Sequence, residues 1–255
     1  MSRDKAASRR TAFITGASSG IGAATALALA RDGFQIAVAA TRRENLAPVL
    51  AELEVLGARA LPVVFDLRSI SSIEQSMSAV IDTFGEVDVL VNNAAGIPFR
   101  KASIDVTQAD WGGVVQVSVT GTFFMCQRMG RHLIGGGRPG CIINIASTHG
   151  IVGFAQVAAY GTSKAAIIHM TKMLAIEWAE LGIRVNAVAP GSVETPSRAA
   201  VLGDPVRRAA MLARVPLHRF AAAEEVAGAV RYLASPVAAY VTGQTLVLDG
   251  GLTAV

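Results

Sequence analysis

Cysteine is scarce in this chain: Cys126 and Cys141 are the only two. Neither sits in a metal-ligand spacing, so a disulfide framework is excluded and no metal is expected. Both read as buried free thiols of a reducing, cytoplasmic compartment. Charge is sparse as well, at 16% against 52% apolar residues, which excludes disorder. No apolar run reaches the roughly 20 residues that span a bilayer, so no membrane partner is expected. Aromatics are only 5% of the chain and no basic stripe is interleaved with them, which sets nucleic-acid binding aside.

Much of the charge imbalance lies at one end. Arg3, Lys5, Arg9 and Arg10 against Asp4 supply +3 of the chain's +4. Residues 1–10 therefore read as a flexible basic tail. They lack an apolar core or cleavage site, so a secretory signal is not expected.

The remainder, 11–255, reads as one domain, a size that can bury a large core. Short apolar runs recur at Ala12–Thr15, Gln35–Ala39, Ala60–Phe65, Val87–Val91, Cys141–Ala146, Val185–Ala189 and Thr245–Leu248. Such runs suit strands covered on both faces. Helix-period stripes lie between them. Ile73, Met77, Val80, Ile81 and Phe84 form one, with Ser71 and Glu74 as its capping box. Leu46, Leu50 and Leu53 form another, stopped near Gly57, and Thr107 with Asp110 starts a third. The alternation predicts an α/β fold: a single-domain, Rossmann-type, doubly wound parallel sheet of about seven strands with helices on both faces. The less regular segment from about 195 to 216 is a candidate lid.

Two motifs carry the chemistry. Thr15-Gly16-Ala17-Ser18-Ser19-Gly20-Ile21-Gly22 follows the first strand and opens the helix Ala23–Ala30. Glycines there permit a tight turn whose N–H groups, with the helix N-terminus, can approach a pyrophosphate. After the second strand come Thr41, Arg42 and Arg43, with no acid to hold both ribose hydroxyls. Arg42 can instead pair with a 2′-phosphate, so NADP(H) is preferred and NAD(H) is the second candidate. The other motif is Tyr160-Gly161-Thr162-Ser163-Lys164, with Ser147 upstream. Positions i and i+4 put the phenol and the ammonium on one helix face.

In this order, from about Thr11 to Gly251, these motifs resemble the short-chain dehydrogenase/reductase family. Asn92-Asn93-Ala94-Ala95-Gly96 resembles its Asn-Asn-Ala-Gly stretch, Arg184-Val185-Asn186 its sixth strand, and Asp249-Gly250-Gly251 its C-terminal signature. The resemblance implies carbonyl–alcohol interconversion by hydride transfer. Tyr160 would be the acid/base, Lys164 would lower its pKa and hold the nicotinamide ribose, and Ser147 would donate to the developing alkoxide. Cofactor contacts would come from Gly16, Ser18, Ser19, Gly20, Ile21, Gly22, Thr41, Arg42, Arg43, Asp66, Leu67, Asn93, Ala94, Ala95, Gly96, Pro190, Gly191, Val193 and Thr195, with Asn92 beside the adenosine. Ser118 replaces the family's relay asparagine and would hold its water. Asn186 reads equally as a cofactor contact or as a buried strand tie. Ala221-Ala222-Ala223 departs from the family pattern at a helix start.

The substrate would sit at the C-terminal strand ends, near His149, Phe99, Phe154, Gln156 and Ser192, with Ile97, Pro98, Val152, Val157 and Met211 around them. Arg100 and Lys101 read as a solvated surface pair, with attraction of an anionic substrate as the alternative. The family pairs the helix Ala158–Glu180 and the preceding long helix across a two-fold axis, implying a homotetramer or homodimer. Competing functions are an inactive dinucleotide-binding scaffold or sensor, an NAD-dependent polyol or sugar dehydrogenase of the same family, and a relative doing elimination or epoxide chemistry.

Overall fold

A computed structural model describes residues 9–96, 99–196, 199 and 203–254. Seven parallel strands form one sheet in the order β3-β2-β1-β4-β5-β6-β7. They are β1 Thr11–Thr15, β2 Gln35–Ala40, β3 Ala60–Val64, β4 Val89–Asn92, β5 Gly140–Ile145, β6 Ile183–Pro190 and β7 Thr245–Leu248. Eight α-helices accompany them among the described residues. These are α1 Gly20–Arg31, α2 Ala47–Val55, α3 Ile70–Phe84, α4 Gln108–Val115, α5 Thr122–Gly135, α6 Ala158–Trp178, α7 Pro205–Leu212 and α8 Ala223–Ala234.

The two-residue period of the strands divides the interior. In β1, Ala12 and Ile14 join one core with Leu29 of α1, Val49 and Leu53 of α2, and Val226 and Val230 of α8. Phe13 between them joins the other, with Ile73 and Val80 of α3, Met125 and Met129 of α5, and Leu174 of α6. A sheet sealed on both faces explains why the central strands read as continuous apolar runs. The outer strands depart from that expectation: β3 and β7 are only partly covered, with Val64 and Val247 exposed. Each has a neighbouring strand along one edge only, so fewer elements cover it.

Three local expectations need correction. α3 begins at Ile70, capped by Ser69, whose Oγ accepts the Ser72 N–H at 3.2 Å. Ser71 therefore lies inside the helix, and Glu74 serves as an ion-pair partner of Arg128 rather than closing a box. The basic tail does not extend to residue 10. Arg10 donates to the Ala234 carbonyl at 3.2 Å and its guanidinium lies over the Phe34 ring, and its carbonyl accepts Gln35 N–H. Residues 1–8 lie outside the described residues. The Leu46 stripe opens in a 3-10 turn, Arg43–Leu46, before α2 begins. At Thr107 the box is as read: Thr107 Oγ1 accepts Asp110 N–H and the Asp110 carboxylate accepts Thr107 N–H.

A polar chain crosses the second core. Asn92 Nδ2 donates to Asn144 Oδ1 at 2.9 Å and to Cys126 Sγ at 3.2 Å, and Asn144 Nδ2 donates to Thr171 Oγ1 at 3.0 Å. This joins β4, β5, α5 and α6 where almost nothing else is polar. Burial pushes the Cys126 thiol up to about 12 and raises Cys141 as well.

Removing the centre of that chain takes one hydrogen bond from each of three buried partners, Asn92, Cys126 and Thr171. Asn144→Ala is expected to lower stability by about 2–4 kcal/mol, since each such bond contributes about 0.5–1.5 kcal/mol. Thr107→Ala, which removes one exposed cap, should cost about 1 kcal/mol. Urea denaturation of both variants measures the contrast; equal losses would mean the interior chain contributes no more than a surface cap.

Candidate active site

β1 and β4 are neighbours although they are far apart in sequence, and the sheet changes direction of growth between them. Ligands of open α/β sheets bind at the carboxyl ends of strands at such a point. The glycine-rich turn lies there. Gly16 has φ +65°, and a side chain on it would begin 2.8 Å from Ala94 Cα. A side chain on Gly22 would begin 2.3 Å from the Gly16 carbonyl. The turn is thus packed from within and against the loop after β4. Ser19, the N-cap of α1, makes no side-chain cap bond, so the first-turn N–H groups are not met by its hydroxyl.

Asn93 and Thr15 hold this arrangement. Asn93 Nδ2 donates to the carbonyls of Thr15 at 3.1 Å and Gly16 at 2.8 Å. Thr15 Oγ1 accepts the N–H groups of Asn93 and Ala94 at 3.0 and 3.1 Å. Asn93 thereby staples the turn, and its amide is committed to backbone. Asn92, expected beside the adenosine, turns its side chain into the interior instead. Thr15 was missed as a site residue; its position ending β1, next to the first glycine, was the available signal.

At the end of β2, Thr41, Arg42 and Arg43 are all exposed. No carboxylate among the described residues pairs with either arginine. At the end of β3, Asp66 is gripped by Arg68 at 2.8 Å, which holds its carboxyl below the ordinary value, and Leu67 is buried. Asn186 proves to be the strand tie. Its amide donates to Val241 O at 2.8 Å and accepts Gln244 N–H at 3.0 Å.

Ser147 follows β5 and caps the 3-10 turn Thr148–Gly150, its Oγ accepting His149 N–H at 3.2 Å. That turn packs on α6, which carries Tyr160 and Lys164 one turn apart. Lys164 is buried; its ammonium donates to the Ile145 carbonyl at 2.7 Å and stands 5.7 Å from the centre of the Tyr160 ring. Burial brings the Lys164 pKa down to about 8. Tyr160 is half-buried, and its ring meets His149 edge-on at 5.6 Å.

Ser118 lies in a one-turn π-helix, Gln116–Gly121, between α4 and α5, a local widening frequent at functional sites. It is buried, and its Oγ accepts Gly96 N–H at 3.0 Å, fixing the loop after β4. The same π-turn contacts α6.

Pro190, the last residue of β6, is buried; beyond it Gly191 N–H bonds Leu248 O at 2.9 Å, and Val193 is buried and bridges to Ala221. Thr195 Cγ2 lies 2.9 Å from where a side chain on Gly20 would begin, so this loop closes over the glycine turn. Glu194, Thr195, Pro196, Ala199, Gly203 and Arg208 line a hollow in the segment read as a lid. Residues 197–198 and 200–202 of that segment lie outside the described residues.

Among the residues expected near substrate, Phe154 stacks on His149 at 4.1 Å and Arg214 lies over Phe154 at 4.7 Å. Arg214 was not anticipated; nothing in its sequence neighbourhood marks it. Phe99 and Ser192 are half-buried. Gln156 is exposed with φ +67°, and its carbonyl accepts Lys101 N–H. Val157 is buried, so its side chain is spent on the interior. Ile97 and Pro98 fall outside the described residues. Lys101 is tied to Asp110 at 2.6 Å, which leaves Arg100 as the exposed cation of that pair. The alanines before α8 do not cost the helix its start: Glu225 accepts Ala222 N–H at 2.8 Å and pairs with Arg219.

Known proteins share this architecture. A family model described as Enoyl-(Acyl carrier protein) reductase matches residues 16–253. The chain is similar to 3beta-hydroxysteroid dehydrogenase 1 of Eggerthella lenta, 39% identical over 96% of this chain and 94% of that protein. It is 40% identical to the 3-oxoacyl-(acyl-carrier-protein) reductase FabG of Thermotoga maritima, over 95% of this chain and 97% of that one. Among solved structures, a single-substitution variant of actinorhodin polyketide ketoreductase with NADPH superposes with a TM-score of 0.90 at 39% identity, covering 96% of this chain and 97% of that chain.

The buried lysine has a measurable signature. Its folded pKa of about 8 lies below the unfolded value of 10.5, so the unfolded chain binds more protons between those limits and stability rises with pH there. Relative to Lys164→Met, the ligand-free protein should gain about 3 kcal/mol between pH 8 and 10.5, with a constant difference below pH 7. Urea midpoints of both proteins across that range test it; a flat difference would place the ammonium in water.

Proposed function

The chain belongs to the short-chain dehydrogenase/reductase family, and on that premise we propose that it interconverts a ketone or aldehyde and its alcohol using NADP(H). The supporting observation is the convergence of Ser147, Tyr160 and buried Lys164 on the side of the sheet where the glycine turn opens. The residues fit a dinucleotide: a turn too tight for side chains, a helix N-terminus behind it, and two exposed arginines after β2 that pair with no carboxylate among the described residues. When bound, the nicotinamide supplies or accepts the hydride.

The protein's own groups do the rest. Tyr160 gives its proton to the carbonyl oxygen in reduction and takes one back in oxidation. A phenol ordinarily titrates near pH 10. The Lys164 ammonium beside it favours the phenolate and brings that proton into useful range. Ser147 donates to the same oxygen as charge develops. Ser118 spends one lone pair on Gly96 N–H and keeps its hydrogen for a water leading toward Lys164. Pro190, Gly191, Val193 and Thr195 frame the nicotinamide end, and Gly16 to Gly22 the pyrophosphate. The mostly apolar surroundings of Phe99, His149 and Phe154 suit a small or medium carbonyl compound. The complete Ser147, Tyr160 and Lys164 set argues against an inactive scaffold. Exposed Met173 and Ile176 on α6 and Phe123 on α5 support assembly into a dimer or tetramer.

Tyr160→Phe should lower kcat about 10²–10⁴-fold on a carbonyl panel while NADPH binding is retained. Turnover surviving the change would remove the phenol from the mechanism. Arg42→Ala should weaken NADPH about 10–100-fold and NADH little, the value of a lost charge-assisted bond. Fluorescence titration reads both, and equal or tighter NADH binding by the parent protein would overturn the preference.

A further inference from the structure

Ser147 and His149 make a closed local geometry that the reaction scheme above does not use. Ser147 Oγ accepts the His149 backbone N–H at 3.2 Å, and the same oxygen lies 3.3 Å from His149 Nδ1. The imidazole is held on two sides, by Phe154 stacked at 4.1 Å with 23° between planes and by Tyr160 edge-on at 5.6 Å and 73°. Swinging the ring about the Cα–Cβ bond away from Ser147 would break both contacts. Two cations face the rings of this cluster: Lys164, one turn beyond Tyr160 on α6, and Arg214, over Phe154.

A serine hydroxyl has one hydrogen and two lone pairs. One lone pair is taken by His149 N–H. If Nδ1 is bare, the 3.3 Å contact forms only when the hydroxyl hydrogen points at the imidazole, and Ser147 then has nothing to give a substrate oxygen. If Nδ1 carries hydrogen, it fills the second lone pair. The hydroxyl hydrogen is then driven into the remaining direction.

We infer that His149, with its proton on Nδ1, is the positioning residue that aims the Ser147 hydroxyl at the reacting carbonyl. This rests on the oxidoreductase reading above and deepens it. Ser147 becomes a donor oriented before substrate arrives, so no hydroxyl rotor has to be ordered and no competing bond has to be broken in the transition state. The aromatic contacts on His149 thereby take part in aiming a proton two residues away.

The experiment is a double-mutant cycle with a conservative rescue. His149→Phe keeps a ring for the Phe154 stack and removes the nitrogen. It should lower kcat about three- to tenfold, the effect of freeing the hydroxyl hydrogen between the two directions that the backbone N–H of residue 149 leaves open and of losing polarisation from its partner. KM and NADPH affinity should change less than about twofold, since nothing uniform to ground and transition state is lost. His149→Asn, whose amide nitrogen can take the place of Nδ1, should recover the loss to within about twofold. In a Ser147→Ala background the His149→Phe effect should disappear, because no hydroxyl remains to aim. ¹⁵N spectra of the ligand-free protein at pH 7 should show a protonated Nδ1.

A wild-type kcat in His149→Phe, a loss undiminished in the Ser147→Ala background, or a bare Nδ1 would each overturn the inference. Any of these would leave the Tyr160 scheme standing, which its own variant tests. Unchanged turnover in Ser147→Ala alone would remove both Ser147's role and the aiming of it.

Discussion

The bond from the Lys164 ammonium to the Ile145 carbonyl holds the Ser147, Tyr160 and Lys164 end of the molecule together. It spans 2.7 Å in a place with almost no water and joins α6 to the end of β5. Ile145 is two residues before Ser147, and Tyr160 is one helical turn before Lys164. A single contact therefore helps set the serine and the tyrosine in register. A buried charge is costly unless it is bonded, so the ammonium needs this carbonyl as much as the site needs the ammonium. The depressed pKa of the lysine is the remaining cost of that placement.

The other half depends on smaller bonds of the same kind. Asn93 and Ala94 of the loop after β4 donate four hydrogen bonds to Thr15 and Gly16 of the β1 turn. Ser118 adds one to Gly96, from a π-turn that also touches α6. The loop after β4 is thus pinned from the glycine turn on one side and from the α4–α5 junction on the other. Through that loop the glycine turn and the Ser147, Tyr160 and Lys164 group share one framework, although they lie on opposite halves of the sheet.

Much of this was legible in the residues, for a physical reason. Parallel strands buried on both faces are short apolar runs, and each strand core was found where such a run lies, with ends shifting by one or two residues. Thr107 and Asp110 announced a cap because the box is a local sequence device. The failures are of a different type. Asn92 and Asn93 are adjacent and alike, yet one faces the interior and the other the turn, which only the pleat of β4 decides. Ser69 rather than Ser71 caps α3, and a serine-rich start offers several equivalent caps to a reader of sequence. Arg214, two residues beyond the end of α7, lies over the Phe154 ring, and no spacing along the chain encodes that approach. The same is true of the ring contacts around His149.

The two thiols carry a consequence of their own. Cys126 is wholly enclosed, shares its sulfur with the Asn92 and Asn144 amides and resists ionisation up to about 12; Cys141 is equally enclosed beside the Leu233 carbonyl. Only a thiolate attacks peroxide or an alkylating reagent at a useful rate. An oxidant that silences sulfhydryl-dependent enzymes would find no handle here, because neither sulfur can react until the interior opens. Turnover should therefore be indifferent to thiol-oxidising reagents for as long as the fold persists.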